Sequence, residues 1–219
     1  MISHEHQFIF VHISHCGGTS VENALADFGH MRPGDIDPVQ EKDILFGTLP
    51  LNTTQHMTAL ELKQFYGQEI WDQYYTFAFV SNPFDRMITS YLQRGMPIYG
   101  HKSLAEFLDG PYCNPSQSLP FLKRRKLGKY ARSERMASSC YSWLCDEDGE
   151  LLDLDFLGRK ESLAEDFQTV VRAIGIEAEL GVGNKTANKK PYQHYYDEST
   201  IKWVEERMGD DLRAFGYKY

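Results

Sequence analysis

The sequence predicts an α/β fold with a central, mostly parallel sheet flanked by helices. Two observations predict it. A short apolar, β-branched run, "FIFVHI", passes through a loop with adjacent glycines into the helically spaced "TSVENALADFG". A second run, "TFAFVS", passes into "NPFDRMITSYLQR", a helix with proline in its first turn. A strand–loop–helix unit that repeats in this way builds parallel strands with ligands at their carboxyl ends.

The remaining elements follow in chain order. "TALELKQFYGQEIWDQYY" reads as one or two helices, "LDLDFLGR" as another strand, and "ESLAEDFQTVVRAIG" as an amphipathic helix whose Ser162 and Glu165 fit a capping box. "DESTIKWVEERMGDDLRAFGY" closes the chain as helix. No repeat, low-complexity tract or composition break marks a linker, so one domain over residues 1–219 is expected.

Composition narrows the function classes. The chain is 42% hydrophobic and 25% charged, and no apolar run approaches the roughly 20 residues that span a bilayer. "MISHEHQ" lacks the basic start and apolar core of a secretory signal, so a cytoplasmic location is expected. Cys16, Cys113, Cys140 and Cys145 are too few and too irregular for a disulfide scaffold, and no histidine pairs with them at zinc-ligand spacing. Free thiols and no metal are expected. Asn52-Thr53-Thr54 matches the glycosylation pattern, which carries weight only in a secreted context. A net charge of −8 argues against general nucleic-acid binding, because that affinity comes from many Lys/Arg contacts to phosphate. An anionic ligand therefore needs a local site.

The loop "HISHCGGTS" is one candidate. Gly17 and Gly18 let the backbone bend and bring amides against an anion, the following helix adds the positive end of its dipole, and Thr19 and Ser20 offer hydroxyls. A tight turn whose glycines serve geometry alone explains the spacing equally well. The spacing is not that of a Walker A loop, which removes a P-loop kinase from consideration.

"FIFVHISHCGGTS" resembles the 5′-phosphosulfate loop of sulfotransferases that use 3′-phosphoadenosine 5′-phosphosulfate (PAPS), the family of carbohydrate sulfotransferases and their bacterial relatives, whose usual text is close to "FVHIPKTGGTS". "TFAFVSNPFDRMITSYL" is similar to that family's 3′-phosphate segment, close to "FAFVRNPYDRLVSAYL". The similarity continues through "QHMTALELKQFYG", "CDEDGELLDLDFLGRKESLAEDF" and "YYDESTIKWVEERMGDDLRAFGYKY", and fails mainly between about residues 95 and 135. It implies a P-loop-like sulfotransferase fold, PAPS as donor with adenosine 3′,5′-bisphosphate (PAP) as product, and a hydroxyl acceptor, above all a carbohydrate.

Residue by residue, the resemblance implies His56 as general base and His15, Cys16, Gly17, Gly18, Thr19 and Ser20 as the loop around the 5′-phosphosulfate. It implies Ser81, Arg86, Thr89 and Lys190 around the 3′-phosphate. Two positions depart from the pattern. His15 stands where the family has lysine, so it is a catalytic candidate as acid or cation, and Ser81 stands where the family has arginine, replacing a two-pronged charged contact by one neutral hydroxyl. Arg86 either compensates or forms an ion pair with a carboxylate such as Asp85 or Glu161. Arg159 and Glu161 are candidates to order the site or are solvated strand-end charges. Lys185 and Lys189 are further phosphate candidates, and Tyr192, Tyr195 and Tyr196 either stack on adenine or pack a core.

The basic run "FLKRRKLGKYARSER", with Lys123, Arg124, Arg125, Lys126, Lys129, Arg132 and Arg135, is a solvated face or a surface for an anionic acceptor. The two departures also leave a second function open: a catalytically silent relative that binds PAP as a regulator or scaffold.

Overall fold

The computed structural model describes residues 1–29, 56–110, 112–114, 137–181 and 189–219. Asn52, Lys185 and the basic run from Lys123 to Arg135 lie outside them. The chain divides into two compact units, Met1–Val80 with Trp143–Asn184, and Ser81–Ser142 with Lys185–Tyr219. The chain passes between the units three times, inside otherwise ordinary sequence, which is why no linker shows in the composition.

The first unit carries a four-stranded sheet in the order β1 (Ile2–Ser3), β2 (Phe8–Val11), β3 (Tyr75–Val80), β4 (Phe156–Arg159). β2 pairs parallel with β3 through Phe10↔Phe77, and β3 parallel with β4 through Phe79↔Gly158. β2 is buried at every position, as the unbroken apolar text of a covered parallel strand requires. Phe10 and Phe77 stack at 5.0 Å across the pair. β1 is a two-residue antiparallel edge strand, Ile2↔Ile9, that the sequence reading did not anticipate.

Helices Gly18–Ala24, Ala59–Tyr66, Gln68–Gln73 and Leu163–Ile174 belong to the same unit. The segment read as one or two helices is two, divided at Gly67 with φ 91°. The first of them opens on a capping box: Thr58 Oγ1 accepts from the Glu61 amide at 3.1 Å, and the Glu61 carboxylate accepts from the Thr58 amide at 2.8 Å. The capping box expected at Ser162 does not form. A 3-10 turn over Lys160–Ser162 leaves Ser162 at φ −116°, ψ 27°, away from extended cap geometry, and its hydroxyl donates to Asp166 at 2.8 Å instead.

The second unit packs Phe84, Met87, Ile88, Phe107, Leu108 and Val204 into its own core. Its first helix, Pro83–Ser90, is capped by Asn82, whose Oδ1 accepts from the Phe84 amide at 3.0 Å. That helix runs on through a π-helical turn at Tyr91–Gly95. The closing helix is two, Glu198–Arg207 and Gly209–Phe215, because the chain leaves helical geometry at Met208 (φ −117°, ψ 22°). Among the described residues, no helix is long and apolar enough to cross a membrane, and Cys16, Cys113, Cys140 and Cys145 form no disulfide.

Candidate functional site

In the first unit, β2 hands the chain to the loop at His12. Cys16 returns its amide to Ile13 O at 3.4 Å, and Gly17 O accepts from Ser20 N at 3.0 Å and Val21 N at 3.4 Å. These bonds bend the loop into the helix that starts at Gly18. The amides of Gly18 and Thr19 fall in the opening turn, where no helical acceptor precedes them. Cys16 is buried, His15 and Ser20 are half-buried, and Thr19 is exposed.

The two glycines have separate causes. Gly17 sits at φ 87°, a left-handed conformation that a side chain resists. Gly18 is needed for space: a Cβ there would lie 2.1 Å from His12 Cδ2 and 2.2 Å from His12 Nε2. The second glycine of the loop is thus the floor over a buried imidazole.

That imidazole was not among the residues singled out from sequence, nor was its partner. His12 Nδ1 lies 2.6 Å from Glu22 Oε1, and both side chains are only 3% exposed. Because a carboxylate only accepts, His12 Nδ1 donates, in the short geometry of a charge-assisted bond. The other face of the assembly is His56. Its ring centroid is 4.4 Å from that of His12 and 6.2 Å from that of Trp143. Its Nδ1 lies 3.3 Å from His12 O. A carbonyl also only accepts, so a hydrogen bond here puts a proton on His56 Nδ1, and a neutral ring so bonded carries its lone pair on Nε2, the arrangement a base requires.

His56 is held at φ 64°, and His15 at φ 63°. The left-handed region costs a non-glycine residue of order 1–3 kcal/mol and persists where surroundings over-determine it. For His56 those surroundings are the His12 carbonyl and ring and the Trp143 ring on one side. On the other, the capping box fixes the chain two residues on.

In the second unit, Ser81 and Arg86 are fully buried and Thr89 nearly so. Arg86 Nη1 donates to Ser138 O at 2.6 Å. Its charge also reaches Asp211, without overcoming the burial that raises that carboxyl above its ordinary value; Asp211 accepts from the amides of Cys140 and Tyr141 at 2.8 and 2.7 Å. Asp85 pairs with Lys189 at 2.6 Å, and the same ammonium donates to Thr89 Oγ1 at 2.8 Å. Lys190 is exposed, with its amide on Tyr195 Oη at 3.1 Å. Lys189 and Thr89 are therefore brought together, and among the described residues Lys190 meets Tyr195 through its backbone amide. Tyr192, Tyr195 and Tyr196 pack against the unit's own core, Tyr192 stacked on Phe84 at 6.1 Å and Tyr196 donating to Phe84 O at 2.9 Å. Arg159 and Glu161 are exposed.

A family model described as the sulfotransferase family matches residues 1–218. No curated protein and no solved structure matches the chain. The match runs across both units and includes the parallel strands, the loop after β2 and the "NPFDR" helix start, so the chain belongs to the sulfotransferase family.

Proposed function

We propose that the protein transfers the sulfuryl group of PAPS to the hydroxyl of a carbohydrate acceptor, with His56 as general base. Family membership supports sulfuryl transfer in general. The observation that carries the finer reading is the 3.3 Å approach of His56 Nδ1 to the His12 carbonyl, a contact that calls for the proton on Nδ1 and so leaves Nε2 to act as the base. In the proposed step Nε2 takes the acceptor's proton as its oxygen bonds to sulfur. The bond between sulfur and the bridging phosphate oxygen breaks, and negative charge gathers on the departing phosphate.

The loop residues of this chain suit that phosphate. Opening-turn amides of Gly18 and Thr19, with the hydroxyls of Thr19 and Ser20, supply neutral donors, and Cys16 and Gly17 shape the backbone. His15 stands at the position of the family's lysine, where a neighbouring phosphosulfate favours the imidazolium and lets it serve as the cation. The proposed 3′-phosphate group is Ser81, Arg86, Thr89 and Lys190, joined by Lys189, whose ammonium already rests on Thr89.

Titration calorimetry with PAP, followed by turnover of radiolabelled PAPS over a panel of glycans, tests the proposal. We expect micromolar PAP binding that Ser20→Ala weakens, and sulfated product that His56→Ala abolishes. Product formation surviving in His56→Ala would overturn the base assignment. The second reading, a PAP-binding relative without turnover, is favoured by one observation: Arg86 is fully buried on a backbone carbonyl while Ser81 and His15 replace cations. PAP binding with no product across the panel would establish it, and no PAP binding at millimolar ligand would defeat both.

A further inference from the structure

We propose that His12 and Glu22 form a buried positioning dyad for His56. The inference rests on the reading of His56 as the base. Three features of the geometry point to it. Glu22 and His12 meet at 2.6 Å with both side chains 3% exposed, in a helix whose inward face is otherwise Gly18 and Val21. A carboxylate in such a place costs several kcal/mol unless it is well partnered, so a merely structural role would be served better by an apolar residue. Among the described residues, three contacts hold the His12 ring: Phe10 stacks on it at 5.7 Å, the Gly18 backbone covers its Cδ2–Nε2 edge, and Glu22 holds Nδ1. His12 also meets His56 twice, ring to ring at 4.4 Å and carbonyl to Nδ1 at 3.3 Å.

The division of labour follows from these contacts. Glu22 fixes the rotation of the His12 ring, the ring so oriented holds His56 within reach of the His12 carbonyl, and that contact, lost when the dyad is removed, sets which His56 nitrogen is protonated. Because Gly18 closes over the same ring, the dyad also ties the base to the loop proposed to hold the leaving phosphate. None of the three residues gains or loses a proton in this role except His56.

Two variants and two readouts test the dyad. Glu22→Gln keeps an acceptor of the same length; Glu22→Leu with His12→Phe replaces the pair by apolar groups of similar volume, a change buried ion pairs usually tolerate in stability. Long-range proton–nitrogen NMR, with the His56 signals identified by their loss in His56→Asn, reads the tautomer directly and needs no substrate. We expect the wild type and Glu22→Gln to show His56 protonated at Nδ1. The double variant should melt close to the wild type, yet show a mixed His56 tautomer. Its kcat should fall about 10- to 100-fold, as misalignment of a general base predicts, with the PAP dissociation constant changed less than twofold. A folded double variant with the wild-type tautomer overturns the dyad whether or not the enzyme turns over. A wild-type tautomer that is protonated at Nε2 overturns it as well. The expected NMR result without sulfated product in the wild type leaves the dyad standing and removes the catalytic reading above it.

Discussion

Replacing Gly18 by alanine separates two explanations of the glycine pair. In the opening turn of a helix, and with no left-handed φ at this position, the change should ordinarily gain up to about 1 kcal/mol. Here the new Cβ would stand 2.1 Å from one His12 ring atom and 2.2 Å from the next. That ring cannot swing aside without giving up its 2.6 Å bond to a carboxylate that is 3% exposed. Overpacking costs about 1–3 kcal/mol, and breaking one side of a buried charged pair about 3–5 kcal/mol. The molecule takes the cheaper relaxation, so a net loss of about 1–3 kcal/mol is expected. For a chain of this size that lowers the melting temperature by roughly 2–12 °C. Thermal denaturation followed by circular dichroism measures it. In a His12→Ala/Glu22→Leu background the obstruction is gone, and Gly18→Ala should then be neutral or stabilising. A Gly18→Ala protein that melts at or above the wild-type temperature would refute the close approach, and with it the claim that this glycine exists for His12.

Two further predictions follow from groups in the second unit. Asp197 caps the helix Glu198–Arg207, and the Thr200 amide, with the Ser199 and Thr200 hydroxyls, holds its carboxyl down to about 2 from an ordinary 3.8. A carboxyl depressed in the folded state stabilises fully above the ordinary value and loses that contribution as pH falls towards about 2. Asp197→Ala should abolish this part of the acid dependence; an acid unfolding curve of unchanged shape would contradict the cap. Cys113 is pushed up to about 12 by burial, which leaves roughly one thiolate in 10,000 at pH 8. Iodoacetamide should label half-buried Cys145 well before Cys113, and Cys113 should react readily only in denaturant; comparable native rates for the two would contradict the burial.

The sequence carried those parts of the fold whose causes are local. "FIFV" and "TFAFV" read as covered strands because a parallel strand buried on both faces has no polar alternation to hide it. "NPFDRMITSYLQR" read as a helix because a proline in the first turn acts through its own fixed φ; the Asn82 cap beside it came only with the structure. The features that were missed depend on partners elsewhere. β1 is two residues of edge strand, too short for any period, and Ser162 lost its cap to Asp166 only because a 3-10 turn came first. The histidine at 56 was legible through the family motif, whereas His12 and Glu22 are ten positions apart on a strand end and a helix, and no helical or strand period joins them. One signal was there: Glu22 shares a helix face with Leu25, three residues on, and His12 continues the alternation of Phe8 and Phe10. A charge on each of two apolar faces, on elements that a short loop forces to pack together, is a pair waiting to be matched.

That pairing alters what the missing lysine means. If the loop's shape depended on a cation at position 15, a histidine there would leave it ill-formed. The shape instead comes from protein contacts: Gly17 takes the left-handed turn, Gly18 rests on His12, and His12 is locked by Glu22. The backbone cradle therefore takes its shape from these contacts, and under the proposed function position 15 contributes charge rather than architecture. Loss of a fixed cation then weakens the stabilisation of a departing phosphate without dismantling the place where it would sit. The same structure that permits a working enzyme with histidine chemistry thus also permits a binding protein without turnover, and the two differ in how much charge stabilisation reaches the loop, not in how it folds.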